Sequence, residues 1–90
     1  MIQYEINITG RVQGVGFRYF TQKKANELHI KGWVKNTPDG RVEVVAQGDE
    51  TDVNTFIDYL KMGPPMARVD NLSKYKTADL TDFNNFSVKY

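Results

Sequence analysis

The sequence contains no cysteine and only one histidine, His29. Without cysteine it can form no disulfide, no thiolate zinc site and no cysteine nucleophile, and one histidine does not make a metal cluster. No apolar run approaches the roughly 20 residues that a membrane-spanning helix needs. The beginning of the sequence also lacks the basic residues and apolar stretch of a signal peptide. We therefore predict a cytoplasmic protein that holds no metal.

The sequence also lacks an excess of charge of either sign. Its 12 basic and 11 acidic residues give a formal net charge of +1. A general polyanion binder usually carries a clear basic excess, so this balance argues against that class of protein. It leaves room for a small anionic ligand, which one arginine and a few backbone amides can hold. The length predicts one domain over residues 1–90.

What the sequence does contain is a regular succession of strand and helix patterns. Apolar and polar residues alternate around Tyr4–Ile8, whereas 49–62 carries apolar residues at helical spacing. The Pro-Asp-Gly turn at 38–40 joins two strands into a hairpin. Strands are predicted at 4–9, 31–37, 42–48 and 67–76, helices at 17–28 and 49–62, and a short last strand at 86–90.

This order of elements is typical of the split βαβ arrangement. We predict an α+β, ferredoxin-like sandwich in which two helices cover one face of an antiparallel sheet, as βαββαβ with a short fifth strand. Val69 and Leu72 do not fit strict alternation, so we expect a bulge or an irregular edge in the fourth strand.

The stretch GRVQGVGFRYF, at 10–20, places three glycines beside a cation where the first helix begins. Glycine permits positive φ, so successive amides can converge on one anion, and the helix N-terminus adds further unpaired amides. Arg18 lies in the first helical turn and points back over the loop. The alternative is a glycine-rich turn with a solvated arginine. Since the nucleotide motifs GxxxxGK[ST] and GxGxxG are absent, the loop should hold a single phosphate group.

Asn36 closes the second strand just before the turn. By the two-residue period of a strand it shares a face with Gly32 and Val34, and so lies at the rim of the helix-covered face. The alternative role for Asn36 is to cap the turn, which is common for asparagine.

Three segments resemble the signature segments of the acylphosphatase family: GRVQGVGFR at 10–18, GWVKNTPDGRVEVVAQG at 32–48 and GPPMARV at 63–69. The resemblance covers essentially the whole chain. It implies a ferredoxin-like fold and hydrolysis of the carboxyl-phosphate bond of acyl phosphates to a carboxylate and inorganic phosphate, without metal or cofactor. It implies that Arg18 binds the phosphoryl group and that Asn36 orients the attacking water. The amides implied to cradle the phosphate are those of Arg11, Val12, Gln13, Gly14, Val15, Gly16 and Phe17.

The sequence departs from the family pattern at His29, where members often have glycine. Because glycine there would adopt the left-handed cap conformation, we expect His29 to adopt it too, at a modest cost in stability.

A second interpretation is a non-catalytic module of the same fold that binds phosphate or RNA. The sequence lacks the RNP-like run that such modules carry, and Trp33 is better explained as an aromatic packed against its strand neighbours. We therefore expect an enzyme that acts on a small acyl phosphate as a monomer, without a nucleic-acid or membrane partner.

Overall fold

A computed structural model describes all residues from 1 to 90. The elements confirm the predicted order, close to the predicted bounds, and the short fifth strand is present. They are β1 (Ile2–Arg11), α1 (Phe17–Glu27), β2 (Lys31–Asn36), β3 (Val42–Gly48), α2 (Glu50–Met62), β4 (Arg68–Lys76) and β5 (Phe86–Lys89).

The five strands form one sheet in the order β4-β1-β3-β2-β5. Strands β1 to β4 pair with one another in antiparallel fashion, as predicted. β5 instead runs parallel to β2, with Phe86 opposite Gly32 and Val88 opposite Val34. The sheet is therefore mixed, and the residues between β4 and β5 must cross from one edge of the sheet to the other.

The core lies between one face of the sheet and the two helices. It contains strand side chains such as Ile6, Val34 and Val44, and helix side chains such as Phe17 and Phe56, all nearly inaccessible to solvent. Full burial of one such side chain is worth about 1.5–3 kcal/mol, so this layer fixes the helices on the sheet. No helix is both long and apolar enough to cross a membrane.

A bulge interrupts the pairing of β1 with β4, as the sequence predicted. Thr9 pairs with Asn71 and Gly10 pairs with Val69, so Asp70 is the extra residue. Gly10 has φ 127°, and a Cβ built on it would lie 2.2 Å from the Arg68 carbonyl oxygen, so only glycine fits here. Bulges bend a strand and increase its twist, and this one lies where β1 leads into the glycine-rich loop.

Residues 77–85 cross the sheet face that the helices leave uncovered. Gln3 and Gln47 lie beneath this crossing, and each is only 4% exposed. The Gln47 side-chain Nε2 donates to Gln3 Oε1 (2.9 Å) and to the Thr81 carbonyl (2.6 Å). The Thr81 backbone amide donates to Gln3 Oε1 (2.8 Å). These bonds satisfy the buried amides and hold the crossing segment on the sheet.

Candidate active site

The loop between β1 and α1 depends on two glycines with positive φ. Gly14 has φ 73° and Gly16 has φ 79°, and no atom lies within 4 Å of a Cβ built on either. The glycines are therefore required for backbone conformation rather than for close packing. Their bare faces keep the concave side of the loop open.

The backbone amides of residues 13–19 make no hydrogen bond within the protein. The first amide of α1 to find an acceptor is that of Phe20, which donates to the Gly16 carbonyl (3.0 Å). Gly16 occupies the N-cap position without a side-chain cap, and the first turn of α1 contains no acidic residue. The positive end of the helix dipole is thus uncompensated, which favours an anion at this position.

Arg18 adds a full positive charge to the same place. The four ion pairs of the protein involve Lys24, Arg41, Lys61 and Arg68, so no carboxylate neutralises Arg18. Its guanidinium carbon lies 4.7 Å from the centre of the Tyr90 ring. A cation that close to an aromatic ring is attracted to its face, which restricts the arginine without occupying its N–H donors.

Asn36 contributes a buried oxygen that has no hydrogen-bond partner. The residue ends β2 opposite Val42, on the same sheet face as Val34. Its Oδ1 is inaccessible and makes no hydrogen bond. Buried polar atoms are nearly always paired in proteins, so an unpaired acceptor of this kind is uncommon.

The turn after Asn36 is capped by its neighbour Thr37. The Thr37 amide donates to the Arg41 carbonyl (2.9 Å), and the Arg41 amide donates to the Thr37 hydroxyl oxygen (2.9 Å). The alternative in which Asn36 caps the turn is therefore wrong. The Thr37 hydroxyl also donates to Asp39, and this bond, followed by the contact with Arg41, lowers the pKa of the Asp39 carboxyl.

Gln13 connects the loop to this turn. Its side-chain Nε2 donates to the carbonyls of Thr37 and Arg41, at 2.8 Å in both cases. One side chain thus links the loop to the turn that follows Asn36. The sequence assigned Gln13 only a backbone role, because nothing in a lone loop glutamine shows which strand turn it will reach.

One cavity of about 250 Å³ brings Arg18 and Asn36 together with the loop. It is lined by Val12, Gly14, Gly16, Phe17, Arg18, Tyr19, Gln22, Asn36, Val88 and Tyr90. No aspartate, glutamate or histidine is among them, so its donors suit an anion better than a cation.

Two of the residues predicted for the phosphate cradle lie partly outside the loop cavity. Arg11 is the last residue of β1, opposite Arg68, and the Val12 side chain lies in the core. Four wall residues were missed by the sequence. Gln22 follows Arg18 by one helical turn, a spacing that could have indicated it. Tyr19 gave no signal, and Val88 and Tyr90 reach the cavity only through the parallel pairing of β5.

The fold and the site together define a class: a ferredoxin-like α+β protein with a cavity at one end of its sheet whose lining suits an anion. The sequence model of the family described as acylphosphatase matches residues 4–88. The chain belongs to the acylphosphatase family.

Individual relatives agree with this assignment over more than nine tenths of their length. An acylphosphatase of Archaeoglobus fulgidus is 49% identical over 90 residues, covering 100% of both chains. The crystal structure of an acylphosphatase from Bacillus subtilis superposes with a TM-score of 0.97 at 44% identity, again covering 100% of both chains. An acylphosphatase structure from Coxiella burnetii gives a TM-score of 0.94 at 38% identity, with 98% of this chain and 92% of that chain covered.

Proposed function

We propose that this cavity is the active site in which the protein hydrolyses acyl phosphates. Family membership makes the chain an enzyme that converts an acyl phosphate to a carboxylate and inorganic phosphate. The observation that carries the assignment of the site is the cavity itself. The walls of this one cavity include glycines of the open loop, Arg18, which has no carboxylate partner, and Asn36, and this arrangement supports the assignment.

In this proposal the loop and Arg18 hold the phosphoryl group. Its oxygens accept hydrogen bonds from the amides of residues 11–17, and Arg18 donates two parallel bonds to two of them. Phosphoryl transfer needs positioning and charge stabilisation more than covalent help from the protein. Donors that are already aimed at the phosphoryl oxygens cost no reorganisation when negative charge shifts in the transition state.

Asn36 orients the attacking water. Its side-chain amide group forms a hydrogen bond with the water, which fixes the water's oxygen for attack on phosphorus in line with the leaving group. The bond from the water oxygen to phosphorus forms as the bond from phosphorus to the acyl oxygen breaks. An asparagine is not a base, so the water proton passes to a phosphoryl oxygen of the substrate, giving inorganic phosphate.

The leaving group needs no general acid. It departs as a carboxylate, whose conjugate acid has a pKa near that of a free aspartic or glutamic acid, and so it is stable without protonation. The cavity wall, which lacks acidic and imidazole side chains, suits this chemistry. We propose accordingly that hydrolysis needs neither a metal nor a cofactor.

We further propose that the enzyme is a single domain over residues 1–90 and acts as a cytoplasmic monomer without a nucleic-acid or membrane partner. On the open sheet face, Lys89 and Lys35 lie 4.4 and 5.4 Å from the centre of the Trp33 ring. These ammonium groups compete for the ring face on which a base would stack. Light scattering on a sizing column tests the monomer.

The test of the site is hydrolysis of benzoyl phosphate in the presence of EDTA. We expect turnover by the wild type, and a fall of about 10²-fold or more in kcat/KM for Arg18→Gln and for Asn36→Ala. Lys23→Gln removes one exposed positive charge from the same helix, and Asn54→Ala removes one exposed amide from α2. Both controls should retain wild-type activity.

Inhibition by inorganic phosphate, measured in both variants, separates the roles of the two residues. Competitive inhibition by inorganic phosphate should weaken in Arg18→Gln, because that variant loses a phosphate ligand. It should persist in Asn36→Ala, because the water site is not part of the cradle. Wild-type activity in either folded variant, or activity abolished by EDTA, would overturn this mechanism.

A further inference from the structure

The cavity is larger than a phosphoryl group requires. About 250 Å³ corresponds to the volume of roughly eight waters. A phosphoryl group held by the loop and Arg18 would leave much of this space for the acyl part of the substrate. The walls of the remaining space include Tyr19, Gln22, Val88 and Tyr90.

Two of these wall residues are aromatic side chains exposed to solvent. Tyr19 is 72% exposed and Tyr90 is fully exposed. A single exposed aromatic needs no explanation, but two from different elements that border the same cavity form an apolar surface at the site. Val88, inward-facing and packed against the core, continues this surface toward the interior.

Arg18 connects the phosphate end of the cavity to this aromatic surface. Its guanidinium borders the cavity and also lies over the Tyr90 ring. A phosphoryl group bound to Arg18 therefore brings the acyl group, which is bonded to it, close to Tyr90. An aromatic acyl group in that position can pack against a tyrosine ring in an offset or edge-to-face arrangement.

We propose that Tyr19, Val88 and Tyr90 form an acyl subsite that favours acyl phosphates with aromatic acyl groups over those with small aliphatic ones. This inference rests on the function proposed above, since it assumes that the phosphoryl group is held by the loop and Arg18. It assigns specificity to side chains that are not needed for the chemical step.

The test compares kcat/KM for benzoyl phosphate and acetyl phosphate in matched variants. The two leaving groups differ in intrinsic reactivity, so the quantity to follow is the benzoyl-to-acetyl ratio in each variant divided by the wild-type ratio. For Tyr19→Ser we expect the ratio to fall by about 2- to 10-fold, the loss of one aromatic contact. The fall in kcat/KM of this variant should be smaller for acetyl phosphate, whose methyl group makes little contact with the ring, than for benzoyl phosphate.

Tyr90 requires two substitutions because it also contacts Arg18. Tyr90→Ser should lower the ratio like Tyr19→Ser and should also weaken inhibition by inorganic phosphate. Tyr90→Phe keeps the ring and should retain the wild-type ratio. The control is Tyr75→Ser, which removes a tyrosine that is 60% exposed and does not border the cavity.

The outcomes distinguish this inference from the proposed function. If the ratio is unchanged in Tyr19→Ser and in Tyr90→Ser while both substrates are still hydrolysed, the acyl subsite is wrong and the active site stands. If the wild type hydrolyses neither substrate, the proposed function fails first. A drop in the ratio for Tyr75→Ser equal to that for Tyr19→Ser would also overturn the subsite.

Discussion

Replacing Gln13 by alanine should loosen the connection between the phosphate loop and the turn that follows Asn36. The Gln13 amide donates to the carbonyls of Thr37 and Arg41 at 2.8 Å, and no other side chain of the loop reaches that turn. The variant keeps Arg18, Asn36 and all loop glycines. It therefore tests whether activity depends on the position of the phosphate loop relative to Asn36, with the catalytic side chains unchanged.

The magnitude follows from what the lost donor leaves behind. Thr37 O still accepts from the Gly40 amide (3.2 Å), and Arg41 O still accepts from the Thr37 amide (2.9 Å), so neither carbonyl becomes an unpaired buried group. The loss is then two ordinary hydrogen bonds, or about 1–2 kcal/mol in total. For a domain of this size that corresponds to a fall in Tm of about 4–16 °C.

The fall in kcat/KM should be evident even when the variant is fully folded. The loop amides and Asn36 must address the same phosphoryl group, and misplacement of a catalytic group by about 1 Å can cost on the order of 10²-fold in rate. We expect kcat/KM for benzoyl phosphate to fall by roughly tenfold or more under conditions in which the variant is fully folded. Urea unfolding followed by circular dichroism gives the stability, and initial rates at 25 °C give the activity.

Gln22→Ala is the matched control for stability. Its Nε2 makes a single hydrogen bond, to the Phe86 carbonyl, at 3.5 Å. A bond that long is weak, so we expect less than about 0.5 kcal/mol of destabilisation. If Gln13→Ala loses no more stability than Gln22→Ala and keeps wild-type kcat/KM, the loop and turn are placed independently and this reasoning is refuted.

Two further predictions concern stability. His29 has φ 58° and follows α1, where its backbone amide donates to the Asn26 carbonyl and the Ile30 amide donates to the Ala25 carbonyl. His29→Gly should relieve the left-handed strain and raise the free energy of unfolding by about 0.5–1 kcal/mol. An equal gain for His29→Ala would contradict this cause. The Thr37 hydroxyl, and then Arg41, hold the pKa of Asp39 below its ordinary 3.8, so the stabilisation it gives is present above pH 3.8 and is lost as the pH falls through the lower folded value. Asp39→Asn should therefore be less stable than the wild type at neutral pH and lose less stability in acid titrations followed by circular dichroism, and parallel acid profiles would rule out this contribution.

Local patterns in the sequence predicted much of the fold and the central part of the site. The helical spacing after Gly16 placed Arg18 in the first turn, and the strand period of Gly32, Val34 and Asn36 placed the asparagine on the helix-covered face. The left-handed conformation of His29 was implied by the resemblance to the acylphosphatase family, whose members often have glycine at this position after the first helix. Each of these depends on a few consecutive residues, whose conformations are set by backbone geometry.

The rest depends on contacts between distant residues. The parallel pairing of β5 with β2 brings Val88 and Tyr90 into the cavity, and no local pattern determines which edge of the sheet a short last strand will join. The same holds for the segment 77–85, whose bonds to Gln3 and Gln47 exist only because it crosses the open face. The Gln13 side chain was missed for this reason too, since its partners belong to another turn.

The strand order also affects how fast the protein is expected to fold. Only the β2–β3 hairpin joins strands that are close in sequence. β1 pairs with strands far along the chain, Ile2 with Gly48 and Tyr4 with Lys76, and β2 also pairs with the last strand, β5. Closing such long loops costs chain entropy before the contacts that stabilise the pairing have formed. Folding is therefore expected to be slower than in helical proteins of similar size. Because the wall of the cavity includes Val88 and Tyr90, the proposed acyl subsite is complete only when β5 has paired with β2. Recovery of the benzoyl-to-acetyl ratio during refolding should therefore report the pairing of β5 with β2.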